Sequence, residues 1–236
     1  MTSFVVAHGA WSAGWAWRKM HPVLGRLGHQ LWTPTWTGIG ERHHLASPQV
    51  CLSTHIDDLV HHMEVEDHRD VVFIAHSYGG MVATGAMPRL SSRVRSVIFL
   101  DAVLPDAGCS MLDMVGADAA AHIRAAADAT GDGWRVPANP MPPDTSEDDL
   151  AWIAPRRVTQ PLATFTEAVA TGVDDISVPR SYIYCRRAGP GDMFGPFAAR
   201  GKADPAWTYR EIDASHSPNI TVPDVLAGLL VELTDR

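Results

Sequence analysis

The 236-residue chain is short of cysteine, has no basic tract and contains no long apolar run. Its three cysteines, Cys51, Cys109 and Cys185, are odd in number, far apart and without a C-x-x-C pair. That pattern argues against a disulfide framework or a zinc site and leaves free thiols. No stretch approaches the ~18 consecutive apolar residues of a membrane span. The chain opens straight into SFVVAHG, without the charged head, apolar stretch and cleavage site of a signal peptide, so a cytoplasmic location is expected. A formal net charge of -8 and the lack of any five-residue basic run argue against nucleic acid or an anionic membrane as partner. The expected partner is a small-molecule substrate, with no nucleic acid, no membrane and, among proteins, only a second copy in a homodimer.

What is present is enough apolar residue, 46% of the chain, to build one sizeable core. Short apolar runs alternate with helical patterns: residues 4–7, then GWAWRKMHPVLGRLG, then HQLWTP. STHIDDLVHHMEVEDH offers Ser53 and Thr54 as helix caps and sets Ile56, Leu59, Val60 and Met63 on one face. Strands follow at 71–75 and in VRSVIFLDA, with a helix over 81–90 between them; later come RSYIYC, WTYREID and a last helix over about 222–233. Such alternation predicts an α/β fold, a mostly parallel sheet flanked by helices.

The rhythm breaks after the strand ending at Asp101. About seventy-five residues carry no clear strand, an alanine-rich helical stretch ADAAAHIRAAADA and a proline-rich piece VPANPMPPD. A segment of that length inside a compact domain is usually a lid or inserted subdomain. Residues 103–178 are therefore expected to form a helical cap inserted into a core made of 1–102 and 179–236.

The chemistry concentrates at DVVFIAHSYGG. A buried strand, then small-x-Ser-x-Gly, then a helix is the pattern of a nucleophile elbow, with Ser77 at its tip and Ala75 and Gly79 as the small flanking residues. The Tyr78 amide, at the helix N-terminus, would face developing negative charge. Such a pentad arises by chance in roughly one chain in five of this length, so the motif alone leaves open a plain strand-to-helix turn with Ser77 as its cap. Two other strand ends agree with it. FVVAHGAW closes the first strand on His8-Gly9-Ala10, where the Ala10 amide would be a second oxyanion donor, and DASHSP follows the last strand and presents His216. Nucleophile, acid and histidine then fall in the order of an α/β hydrolase, all at carboxyl ends of parallel strands.

Through HGAWSAGWAW, GHQLWTPTWTGIGER, HSYGGM, FLDAVLPD and SYIYC, nearly the whole chain resembles the small α/β hydrolases that include plant methyl esterases, salicylate-binding esterases and hydroxynitrile lyases, and it looks closest to their bacterial esterase-like relatives. The resemblance implies the α/β-hydrolase fold and acyl transfer by a Ser-His-Asp triad, with no cofactor. Two departures stand out. The histidine is followed by Ser217-Pro218-Asn219, which leaves the base intact, and Ser217 replaces the lysine of many cyanohydrin-cleaving relatives. In plant relatives the acid follows the strand matching SYIYC, where this chain reads Arg186-Arg187-Ala188. Asp101 and Asp192 are the candidates for that role. Asp101 is favoured because a strand end is the more rigid mount for a group that fixes the histidine tautomer.

His43-His44 and His61-His62 suggest a metal site, but adjacent helical residues such as His61 and His62 do not share a face, and His61-x-x-Glu64 has no matching partner motif, so no metal is expected. For the pocket, Trp11 follows the oxyanion loop, and Met81, Met111, Trp134, Trp152 and Phe165 are the apolar candidates, an environment suited to a hydrophobic or aromatic ester. The reading is a serine hydrolase acting on a carboxylic ester or thioester of a small molecule. A lyase, cyclase or elimination catalyst using His216 as base, and a binding protein with a vestigial triad, are the alternatives on the same scaffold.

Overall fold

A computed structural model describes residues 1–189 and 191–234. In chain order, β1 (Ser3–Ala7) leads through a 3-10 turn (Gly14–Trp17) and α1 (Met20–Arg26) to β2 (Gln30–Trp32). Then come α2 (Leu52–Val65), β3 (Val71–His76), α3 (Gly79–Leu90) and β4 (Val94–Leu100). The inserted segment holds α4 (Met111–Met114), α5 (Ala117–Thr130), β5 (Arg135–Val136), α6 (Glu147–Ile153), β6 (Gln160–Pro161) and α7 (Ala163–Thr166). The chain returns through β7 (Arg180–Cys185), α8 (Gly195–Ala203), β8 (Trp207–Ile212), α9 (Pro218–Thr221) and α10 (Pro223–Thr234).

Six strands form one sheet in the order β2-β1-β3-β4-β7-β8, every neighbouring pair parallel. Alternate residues of each strand serve opposite layers, as the pleat requires. Val5, Ala7, Phe73, Ala75, Val97 and Phe99 pack with Leu59, Val60 and Met63 of α2 and Val82 and Ala86 of α3. Phe4, Val6, Val72, Ile74, Ile98 and Leu100 pack with Met20 and Leu24 of α1 and Leu226 and Leu230 of α10. Burial on both faces explains why residues 4–7, 71–75 and 97–100 of the central strands read as unbroken apolar runs.

The strand order also places the functional end. The chain steps from β1 outward to β2, then crosses back to lay β3 on the other side of β1. Loops leaving β1 and β3 therefore diverge, opening a crevice at their carboxyl ends, where such sheets bind ligands.

Two local expectations change. α2 starts one residue before its expected caps, behind Cys51; Thr54 Oγ1 accepts from the Cys51 N–H at 3.3 Å, while Ser53 reaches across to Glu167. The inserted segment carries an antiparallel β5–β6 pair, two residues on each side, too short to register as an apolar alternation. It shares one apolar cluster with the sheet through Val103, Leu104, Phe165, Val169 and Val173. Among the described residues no helix is long and apolar enough to cross a membrane.

Candidate active site

Three strand ends carry residues held in left-handed backbone, a conformation that costs ordinary side chains roughly 1 kcal/mol or more. They are Trp11 after β1 (φ 54°), Ser77 after β3 (φ 57°) and Asp101 after β4 (φ 42°). At Ser77 the turn is enforced by what surrounds it. The Ser77 N–H donates to Leu100 O at 3.3 Å, and its carbonyl accepts from Gly80 and Val103 N–H at 3.1 and 3.2 Å. The glycines behind it are spatially required: a Cβ on Gly79 would meet Ala7 O at 1.9 Å, and one on Gly80 would meet Val103 O at 2.1 Å. These glycines begin α3 at Gly79, two residues earlier than the sequence pattern suggests.

Asp101 is almost fully buried and mounted between two strands. Its N–H donates to Ile183 O at 2.8 Å, and its Oδ1 accepts from Cys185 N–H at 3.2 Å. Its Oδ2 meets His216 Nδ1 at 2.7 Å. His216 lies on the loop after β8, with its ring stacked on Phe194 (centroids 4.5 Å apart, 10° between planes) and tilted against His76 at 4.8 Å. His76 Nε2 donates to the His216 carbonyl at 2.8 Å, fixing the loop from below. Burial, reinforced by the neighbouring His216, lowers the His76 pKa to about 3, so it stays neutral. The inserted segment grips the same loop: Asp144 accepts from the Ser215 N–H at 3.2 Å and from its hydroxyl.

Asp192 lies in a different arrangement. Its Oδ1 accepts from Phe194 and Gly195 N–H at 3.2 and 2.9 Å, holding the start of α8, and its Oδ2 takes the Tyr184 hydroxyl at 2.6 Å. That contact raises the Tyr184 pKa to about 12. Asp192 and Asp101 both border the cavity, but it is Asp101 that accepts the hydrogen bond from His216.

The cavity, about 610 Å³, is walled by Gly9, Ala10, Ser77 and His216 on the sheet side. Trp11, Met111, Val115, Ile123 and Phe165 line it further out. Ser77 Oγ and His216 share this wall without a hydrogen bond between them among the described residues; such contacts are often long before substrate binds. Of the apolar pocket candidates, Trp11, Met111 and Phe165 line the cavity, and the other three do not. Met81 is directed into the core by the first turn of α3. Trp152 packs edge-on behind Trp15 at 5.4 Å, and Trp134 lies under the Arg135 guanidinium at 4.0 Å.

Trp11 has a role the sequence did not disclose. Its N–H donates to Oε1 of Gln160 at 3.2 Å and its indole N–H to Val136 O at 3.0 Å, both in the inserted segment. Gln160 is wholly buried, and its amide nitrogen donates to Thr164 Oγ1 at 2.8 Å. The residue after the Ala10 amide is thus held by the insertion. No pattern within the chain marks a polar residue whose partner is 149 positions away. His8 also steadies this loop: its Nδ1 lies 2.9 Å from Gly9 O, its ring stacks on Trp36 at 4.7 Å, and burial lowers its pKa to about 4. Among the described residues no three His, Cys, Asp or Glu side chains converge as metal ligands.

A parallel sheet with a strained serine after a central strand, small residues pressed beneath it and a histidine–aspartate pair supplied after two other strands is an α/β-hydrolase arrangement. The profile of the α/β hydrolase family matches residues 4–229, and the chain belongs to that family. It is 34% identical over 242 residues to a carbendazim hydrolyzing esterase of Nocardioides sp. (strain SG-4G), covering 99% of this chain and 100% of that one. It is 30% identical over 104 residues to salicylic acid-binding protein 2 of Nicotiana tabacum, covering 44% and 40% of the two chains. Among solved structures it is similar to an extracellular α/β-hydrolase from a Paenibacillus species, with a TM-score of 0.84, 23% identity and 98% of each chain covered.

Proposed function

We propose that this protein is a carboxylic ester hydrolase that works through an acyl-enzyme on Ser77. The observation that carries the reading is the His216 Nδ1 to Asp101 Oδ2 contact of 2.7 Å. It fixes the Nδ1–H tautomer and leaves Nε2 free to accept a proton on the cavity side. His216 takes the Ser77 proton as Ser77 Oγ attacks the ester carbonyl. The imidazolium formed is stabilised by Asp101 and returns its proton to the departing alcohol. Water then attacks the acyl-enzyme by the same route.

The tetrahedral oxyanion is held by the Ala10 and Tyr78 amides, the second at the N-terminus of α3, where the helix dipole adds to the donor. Each donor of this kind is worth about 10²–10³ in rate. Residues 103–178 act as the cap, and its Met111 and Phe165, with Trp11, form the wall against a hydrophobic or aromatic substrate group. Support for ester substrates comes from the full-length similarity to an esterase.

Incubation of candidate esters in oxygen-18 water tests the reaction class. Hydrolysis through an acyl-enzyme puts one labelled oxygen into the acid product. An unlabelled product, or one formed by elimination or ring closure, contradicts the reading.

A further inference from the structure

We propose that Arg157 makes this cavity a site for esters that carry a carboxylate on the part of the substrate lying beneath the inserted segment. The inference deepens the ester-hydrolase reading and rests on it. Four charged side chains other than His216 border the cavity: Asp101, Arg157, Arg187 and Asp192. Three of them have their partners already. Asp101 is taken by His216 and the Cys185 amide, and Asp192 by one hydroxyl and two backbone amides. Arg187 lays its fork on the Asp213 carboxylate at 3.1 and 3.0 Å, so its charge is neutralised within the protein.

Arg157 differs. Among the described residues no carboxylate pairs with it; one guanidinium nitrogen donates to Asn139 O, and the group lies 5.9 Å from the centre of the Trp11 ring. A guanidinium presents five donors in a planar fork and keeps its charge at any ordinary pH. One carbonyl engages only one of those donors. Arg157 is half-buried and borders a cavity whose lining includes the apolar Met111, Val115, Ile123 and Phe165, where a charge removed from water and left without a counter-ion is destabilising. Burial accordingly lowers its pKa from the usual arginine value. The group that best answers a planar fork in such a place is a carboxylate, which takes two parallel hydrogen bonds.

The position suits substrate recognition. Arg157 reaches the Trp11 ring, and Trp11 directly follows Ala10, so the cation lies on the oxyanion-loop side of the cavity. The chain's net charge of -8 opposes the approach of anions in general, so any preference for one must arise locally, from this group.

The test compares monomethyl esters of linear dicarboxylic acids of four to eight carbons with methyl esters of the matching monocarboxylic acids, following acid release at fixed ionic strength. The intact enzyme is expected to favour the charged ester of the best length at least tenfold in kcat/KM. Arg157→Met is expected to lower that charged-to-neutral ratio at least tenfold, and Arg157→Lys, which keeps the charge but loses the fork, to lower it less. A ratio unchanged within twofold in Arg157→Met overturns the proposal, whatever the absolute rates do, and leaves ester hydrolysis standing. If no ester is turned over, the ester reading fails by itself, and calorimetric binding of monomethyl adipate to the Ser77→Ala protein decides this proposal. Binding weakened tenfold or more by adding Arg157→Met supports it; equal binding, or none, overturns it.

Discussion

His216 Nδ1 and Asp101 Oδ2 lie 2.7 Å apart, joining the loop after β8 to the end of β4 across 115 residues of sequence. This pair separates the two carboxylates that border the cavity into different roles. Asp101→Asn is expected to reduce kcat by about 10⁴, since an amide favours the wrong imidazole tautomer while preserving shape. Asp192→Asn is expected to leave kcat within about tenfold and to lower stability by about 1 kcal/mol through the weakened start of α8. Steady-state kinetics of both variants on one activated ester, with thermal melts, checks the assignment. Equal mild effects on kcat would contradict it.

Gln160, from the inserted segment, accepts the N–H of Trp11, which stands in left-handed backbone. Gln160→Leu leaves the Trp11 N–H without its partner, a loss of about 1–3 kcal/mol, and frees the loop that carries Ala10, the proposed oxyanion donor. The expected result is a fall of about tenfold in kcat with a smaller change in KM, because an oxyanion donor acts mainly on the transition state. A raised KM with unchanged kcat would mean that Gln160 shapes only the binding surface.

Three buried histidines set an acid limit on stability. Burial lowers the pKa of His8 to about 4 and of His55 and His76 to about 3, whereas the unfolded chain titrates near 6.5. Below pH 6.5 the unfolded chain takes up protons that the folded protein refuses. Their contribution is therefore complete above pH 6.5 and is lost as pH falls toward 3–4, at up to about 1.4 kcal/mol per pH unit for each ring. Urea unfolding at intervals from pH 7.5 to 5 is expected to show a steadily falling free energy, with about three protons taken up on unfolding near pH 5. A transition midpoint that does not move between pH 7 and 5 would contradict this.

The fold was legible because a parallel sheet covered on both faces leaves a coarse signal. Runs such as Val71–Ala75 and Val97–Leu100 are apolar at every position, and the glycines after Ser77 are demanded by Ala7 and Val103 backbone atoms. The strand ends bearing Ala10, Ser77, Asp101 and His216 could be found for the same reason. What escaped depends on tertiary direction. Met81 sits four residues beyond Ser77 yet is wholly buried in the core under α3. Trp134 and Trp152 belong to an insertion with little periodicity, where spacing does not say which ring faces inward. Gln160 lies in a two-residue strand and Arg157 in irregular chain, and only folding shows that one holds the Trp11 backbone and the other borders the cavity.

The most direct test of Ser77 as nucleophile is mass spectrometry of the enzyme quenched with acid during turnover of a 4-nitrophenyl ester, together with the same measurement on Ser77→Ala. An acyl adduct confined to the peptide bearing Ser77, absent from a folded Ser77→Ala protein that has lost turnover by 10³-fold or more, is the predicted result. An adduct on another residue, or a Ser77→Ala protein that keeps most of its activity, would contradict the account.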